Sequence, residues 1–261
     1  MKISIVIPAY NEEKRIGRTL EKYLEFFSLM KKQCKIADFE ILVVLNNCKD
    51  NTLSVVEAYE KKYKELRHLN FKQGGKGFAI TEGFKDALKR DNLLIGFVDA
   101  DMSTSPKEYL KLIDNIENYH GVIASRWMKG SSFNQSFQRK ILSRGFNTIA
   151  RAFFLFPYRD TQCGAKIFRR DVIEKIANEL KMTQWAFDIN LLYLCRKNIL
   201  RIREFPTIWI EKEGSNVKPS TPIQMFFGIV RLRLIYSPFE RILKPLKFLL
   251  KIVDRIINKR K

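Results

Sequence analysis

Leu93-Leu94-Ile95-Gly96-Phe97-Val98-Asp99-Ala100-Asp101 carries an almost wholly apolar run into two acids separated by one residue. A short apolar run without alternation predicts a strand buried on both faces, here Leu93–Val98. Working outward, Ile3–Ile7 (stopped by Pro8), Glu40–Leu45 and Leu66–Phe71 predict three earlier strands. Helical spacing fills the gaps over Glu12–Lys32, Leu53–Lys64 and Phe78–Arg90. Strands alternating with helices predict an α/β fold with a mostly parallel central sheet flanked by helices. Right-handed crossovers then gather the strand-end loops at one sheet edge, where such folds bind ligands. Past Pro106 the pattern predicts a helix over Lys107–Asn118, a strand over Gly121–Ala124, and helices near Gln138–Phe154 and Trp185–Arg196.

The two acids closing that run are the first chemical signal. Alternation along a strand sets Asp99 and Asp101 on the same side. Neighbouring carboxylates repel unless a cation lies beside them. A hard divalent ion, Mg2+ or Mn2+, coordinating a diphosphate would resolve the conflict and neutralise a leaving group. Capping of the next helix by either acid is the plainer alternative.

The 261 residues, 46% of them hydrophobic, suit one large domain with a real core and a short appendage. A formal charge of +20 points to an anionic partner: nucleic acid, lipid or a phosphorylated ligand. No helix-turn-helix, zinc or RNA-binding signature accompanies that charge, so nucleic acid is not expected. Cys34, Cys48, Cys163 and Cys195 lack CxxC spacing and read as reduced thiols. Only His68 and His120 are present, which makes His-based catalysis or a His/Cys metal site improbable. No secretory layout follows Met1, and no apolar run approaches the roughly 18 residues of a membrane span.

Charge is concentrated near the end. From Pro222 to Lys261 ten Lys/Arg stand against two Asp/Glu. Between Phe239 and Ile257 the apolar residues share one helical face, and Arg241, Lys244, Lys247, Lys251 and Arg255 cluster opposite. Pro245 begins or kinks a segment within it. The expectation is a catalytic domain over 1–221 and a basic amphipathic tail over 222–261 lying on an anionic membrane surface. A helix packed on the domain would give the same pattern.

Seven motifs then occur in order: Ile5-Val6-Ile7-Pro8-Ala9-Tyr10-Asn11-Glu12, Asn46–Thr52, Gly74-Gly75-Lys76-Gly77, Asp99-Ala100-Asp101, Ala124-Ser125-Arg126, Asp160–Phe168 and Trp185-Ala186-Phe187-Asp188. With this spacing, over about 2–211, the chain resembles the dolichyl-phosphate mannose and glucose synthase branch of family 2 glycosyltransferases. The resemblance implies a nucleotide-diphosphosugar transferase fold of GT-A type. It also implies inverting transfer of a hexose from a nucleotide-diphosphate sugar to a polyprenyl (dolichyl-type) phosphate, at the cytoplasmic face of a membrane and with peripheral attachment. By the same resemblance Pro8, Ala9, Tyr10, Glu12, Asn46, Lys76, Gly77, Asp99, Ala100 and Asp101 bind the donor, and Asp99 and Asp101 hold the metal. Arg126, Arg139, Ser143 and Gln162 match positions that hold the acceptor phosphate, although a solvated basic face would also account for an arginine on that helix. Asp160 falls with Gln162 where the branch closes over donor sugar and acceptor. Asp188 matches a position that is a base in relatives acting on hydroxyls; here its role stays open between base and orienting group.

One departure concerns the nucleobase. Leu45-Asn46 stands where most relatives carry an acidic pair, which leaves uridine and guanosine both open. Two rival readings remain: a family 2 transferase acting on a hydroxyl of a glycan or lipid, and a membrane-bound adaptor with a degenerate transferase fold. No motif bears on the oligomeric state.

Overall fold

The computed structural model describes residues 1–134, 137–181, 184, 186–210 and 221–236, without the side chains of 133–139 and 221–224. The first half alternates as the apolar runs dictate: β1 (Lys2–Ala9), α1 (Ile16–Lys32), β2 (Asp38–Asn46), α2 (Thr52–Glu60), β3 (Leu66–Phe71), α3 (Lys76–Ala87) and β4 (Leu94–Val98). Then come α4 (Pro106–Asp114), β5 (Gly121–Ser125), β6 (Ser132–Asn134), α5 (Phe137–Phe154), β7 (Ala165–Arg169), α6 (Arg170–Ile176), α7 (Phe187–Lys197), β8 (Ile202–Pro206), β9 (Ile208–Ile210) and α8 (Thr221–Ile235).

Seven strands form one sheet in the order β3-β2-β1-β4-β7-β5-β8, and β6 pairs with β9. The first four are parallel, with Ile5 opposite both Ile41 and Gly96. β7 runs antiparallel between β4 and β5, with Phe97 opposite Lys166 and Val122 opposite Ile167. The sheet is therefore mixed and mostly parallel, covered on both faces.

Strand alternation sends neighbouring residues to opposite cores. Val6, Leu42, Val44, Ile95 and Phe97 face one core, shared with Phe84 of α3 and with α5, α7 and α8. Ile5, Ile7, Ile41, Val43 and Val98 face the other, against Tyr23 and Phe27 of α1 and Tyr109 and Leu112 of α4. These side chains are fully buried, each burial contributing about 1.5–3 kcal/mol before entropy.

Local chemistry shifts several predicted boundaries. β1 does not stop at Pro8; it continues to Ala9, with Pro8 opposite Val44. Pairing with β4 has ended at Val6–Phe97, so β1 tolerates a missing donor there. α1 begins at Ile16 because the N–H groups of Arg15 and Ile16 both fold back onto the Glu12 carbonyl. α4 starts one residue early, with the Ser105 hydroxyl accepting the Glu108 N–H and Pro106 in the first turn.

Beyond residue 221, α8 packs on the domain. Ile229 and Leu232 lie in the same core as Phe146 and Ala150 of α5. After it, the Tyr236 hydroxyl donates to the Glu179 carbonyl and accepts from Asn190 Nδ2. The amphipathic stretch of 239–257 lies outside the described residues.

Candidate active site at the carboxyl edge of the sheet

The ends of β1, β2 and β4 meet at one edge, and their loops are tied to one another before any ligand is considered. The Glu12 N–H donates to Thr52 Oγ1, the Glu13 N–H to Asp50 Oδ2, the Lys49 N–H to Asn11 Oδ1 and the Asn51 N–H to Glu13 Oε2. Glu12 itself receives a two-pronged bond from Arg15 at 2.7 and 2.8 Å. Burial raises its carboxyl above the usual glutamate range, and Arg15 opposes the rise. Pro8 and Ala9 are buried in β1, whereas Tyr10 projects, 46% exposed.

Asn46 ties two backbone segments together. Its amide is buried, with Nδ2 donating to the Ala9 carbonyl at 2.8 Å and Oδ1 accepting the Gly75 N–H at 3.0 Å. It bridges the end of β1 to the glycine turn that starts α3, so its effect on a donor would pass through those backbones. Gly75 adopts φ 131°, open to glycine at little cost, and Lys76 and Gly77 then form the first turn of α3.

β4 ends at Val98, so the two acids are placed by a turn rather than by strand pleating. The Asp99 N–H donates to the Gly164 carbonyl, the Ala100 carbonyl accepts from Thr19 Oγ1 at 2.6 Å, and Asp101 Oδ1 accepts the Ser103 N–H. Neither acid caps α4. Gly164 of the 160–168 segment lies against Asp99: a Cβ there would fall 1.8 Å from Asp99 Oδ2. Lys76 Nζ meets Asp99 Oδ1 at 2.5 Å. Burial raises the Asp99 carboxyl above its usual range; Lys76 opposes the rise and Asp101 adds to it. For Lys76, burial works against the charge, yet Asp99 and Asp188 outweigh it and lift the ammonium above its ordinary value.

A second charged pair lies deeper. Lys166, fully buried on β7, donates to Asp188 Oδ1 at 2.5 Å and to the Cys163 carbonyl at 2.7 Å. Asp188 enters from the first turn of α7 and is itself 6% exposed. The role of Lys166 was not read from the sequence, although a lysine inside the apolar strand Ala165-Lys166-Ile167-Phe168 is a signal, because lysine is rarely fully buried unless paired.

Arg126 and Asp160 form a third pair. The guanidinium grips the fully buried carboxylate through Nε and Nη2 at 2.7 and 3.0 Å, and the Arg126 N–H adds a third bond. Burial would raise the Asp160 carboxyl, but Arg126 outweighs it and holds it below the usual range. Gln162 is half-buried, its N–H donating to Asp160 Oδ1. Ser143 lies half-buried on α5; the Arg139 side chain and Trp185 lie outside the described residues.

Asp99 and Asp101 offer the carboxylate oxygens that a hard divalent cation favours. Mg2+ and Mn2+ favour oxygen ligands, and Mg2+ commonly binds through one or two carboxylates completed by substrate phosphates. Among the described residues no three potential protein ligands converge, so donor oxygens would have to complete such a shell.

Comparison with known proteins places this geometry. The dolichyl-phosphate beta-glucosyltransferase of Dictyostelium discoideum is 33% identical over 246 residues, spanning 90% of this chain and 74% of that protein. The Homo sapiens protein of the same name is 30% identical over 248 residues, spanning 90% and 76%. Among solved structures, glucosyl-3-phosphoglycerate synthase from Mycobacterium tuberculosis with Mn2+, UDP and glucosyl-3-phosphoglycerate superposes with a TM-score of 0.65 at 16% identity, over 91% of this chain and 81% of that one. Staphylococcus aureus TarS with UDP-GlcNAc gives 0.56 at 20% identity, over 91% and 68%. These likenesses bear on the GT-A fold. The family model described as glycosyl transferase family 2 matches residues 4–177, and the chain belongs to that family.

Proposed function

We propose that this family 2 glycosyltransferase moves a hexose from a nucleotide-diphosphate sugar to a polyprenyl phosphate of dolichyl type. The names of its relatives make glucose the first sugar to test. The observation that carries the acceptor assignment is the state of Asp188. Its carboxylate is bound to a fully buried ammonium, which suits a fixed orienting group better than a mobile base. A phosphate monoester needs no base: with a second pKa of about 6 it is largely a dianion at neutral pH. Positioning and charge stabilisation then account for most of the catalysis.

In this reading the loops after β1 and β2 and the Lys76–Gly77 turn hold the donor. Asp101 and Asp99 would hold Mg2+ or Mn2+, which when bound offsets charge accumulating on the departing diphosphate. Lys76, paired with Asp99, would supply a positive group to the donor phosphates. Arg126, pre-oriented by Asp160, acts with Arg139, Ser143 and Gln162 to receive the acceptor phosphate, arginine being suited by its planar donors. The acceptor oxygen attacks the anomeric carbon opposite the leaving diphosphate, inverting the configuration. No helix among the described residues is long and apolar enough to cross a membrane. We assign the chain to the cytoplasmic membrane face, held peripherally by the basic stretch that follows α8.

The test is product formation by the purified full chain with Mg2+ or Mn2+, radiolabelled UDP- and GDP-sugars, and polyprenyl phosphate. A labelled, organic-extractable product that disappears in Asp101→Ala supports the reading and names the donor. Slow donor hydrolysis without such a product would leave the donor assignment and remove the lipid-phosphate acceptor.

A further inference from the structure

A cleft of about 260 Å3 opens beside α5, lined by Trp127, Arg144, Asn147, Thr148, Arg151 and Arg159. None of these residues belongs to the transfer site described above. Arg144, Thr148 and Arg151 stand at i, i+4 and i+7 on α5 and so share one face. Trp127 comes from the loop after β5 and Arg159 from the loop after α5, so three separate segments build the cleft. The Arg144 guanidinium lies 5.4 Å from the Trp127 ring centroid, which fixes it as a stacked cation.

The floor is polar but committed. Buried Asn147 accepts from the N–H and hydroxyl of Thr161 through Oδ1 and donates to the Ser143 carbonyl. The Thr148 hydroxyl donates to the Arg144 carbonyl. Glu204 is an acid close by, and its carboxylate is taken up by the N–H groups of Arg159 and Asp160. Among the described residues no carboxylate forms an ion pair with Arg144, Arg151 or Arg159. Three exposed arginines line this one cleft, and a cluster of like charges attracts an anion. Their planar donors match phosphate oxygens.

The rest of the exposed arc of α5 supplies the second observation. Ile141 neighbours the arginine face and Leu142, Ile149 and Phe153 continue the arc farther round the helix; they are 56%, 55%, 36% and 41% exposed. An arginine cleft edged by exposed apolar side chains on one helix is the arrangement of a surface that meets headgroups and acyl chains together. We propose that this cleft binds the phosphate headgroup of an anionic membrane phospholipid, as a phosphate site separate from the transfer centre. It sets α5 against the bilayer whatever the enzyme's acceptor proves to be.

The experiment uses the full chain and phosphatidylcholine vesicles with and without phosphatidylglycerol. Arg144→Gln with Arg151→Gln is compared with Lys61→Gln and Lys64→Gln, which remove two exposed cations from the turn after α2. The arginine pair should lose about 30-fold in affinity for phosphatidylglycerol vesicles, and the lysine pair under about 2-fold. Transfer to a detergent-solubilised acceptor should be equal in wild type and the arginine variant. Equal losses in both variants, or none in the arginine variant, overturn the proposal. An arginine-dependent thermal shift with inorganic phosphate, alongside undiminished vesicle binding, would identify a free-phosphate site and overturn the lipid assignment. Failure of wild type to transfer any sugar would count against the transferase reading alone, since vesicle binding is read without turnover.

Discussion

Two lysine–aspartate pairs, both at 2.5 Å, bring their ammonium groups to the Phe97 ring, and their surroundings differ. Lys76–Asp99 sits at the cleft, each side chain about one-third exposed (33% and 32%). Lys166–Asp188 sits beneath it, at 0% and 9%. Their ammonium groups stand 5.9 and 5.3 Å from the Phe97 ring centroid. Water at the upper pair screens its attraction, so Lys76 can leave Asp99 for a donor phosphate at modest cost. The lower pair has no water to fall back on, and Lys166 needs the Cys163 carbonyl as well. The same two residue types thus serve exchangeable binding in one place and fixed orientation in the other.

Breaking the lower pair should produce the largest effect. Lys166→Met strands the Asp188 carboxylate and should cost about 3–5 kcal/mol in denaturant unfolding. Adding Asp188→Leu should restore most of that stability, because a buried pair exchanged for apolar residues is often neutral. The upper pair should behave the other way round. Lys76→Met should change stability by under about 1 kcal/mol, yet lower kcat/KM about 100-fold. Equal stability losses at Lys76 and Lys166 would erase the distinction between the two pairs.

Smaller effects sharpen it. Gly164→Ala pushes a methyl group into the Asp99 carboxylate and should cost about 1–3 kcal/mol, with activity falling further than stability. Thiols report on the lower layer. Burial pushes Cys163 and Cys195 up to about 12, so both should resist thiol reagents at neutral pH while exposed Cys34 reacts. Unfolded thiols ionise near pH ~8.5, whereas these two stay protonated in the folded chain. Stability should therefore fall as pH rises above that value, seen as a lower denaturant midpoint in mildly alkaline buffer.

Local pattern explains which parts of the molecule were legible in the sequence. The runs at Ile3–Ile7, Glu40–Leu45 and Leu93–Val98 announce buried parallel strands because both faces are covered and alternation disappears. β7 was hidden for the opposite reason: it is short, antiparallel, and carries Lys166 in an otherwise apolar run, whose partner Asp188 lies 22 residues away. The acids at 99 and 101 were visible as a pair, but their placement depends on Thr19, Ser103 and Gly164, which no local spacing reveals. The bridge that Asn46 makes between the Ala9 carbonyl and the Gly75 N–H is likewise invisible to local spacing. Arg126 was legible as a charge at a strand end; its clamp by Asp160, 34 residues on, is a tertiary fact.

The central claim is that the acceptor is a phosphate and that Asp188 orients rather than deprotonates. The most direct measurement compares initial rates with two polyprenyl acceptors of equal chain length, one ending in phosphate and one in a free hydroxyl, using wild type and Asp188→Asn with donor affinity measured in parallel. The account predicts transfer to the phosphate alone, with Asp188→Asn slowing it far less than the roughly 100-fold or more expected on losing a general base. Transfer to the hydroxyl that vanishes in Asp188→Asn while donor binding survives would contradict it.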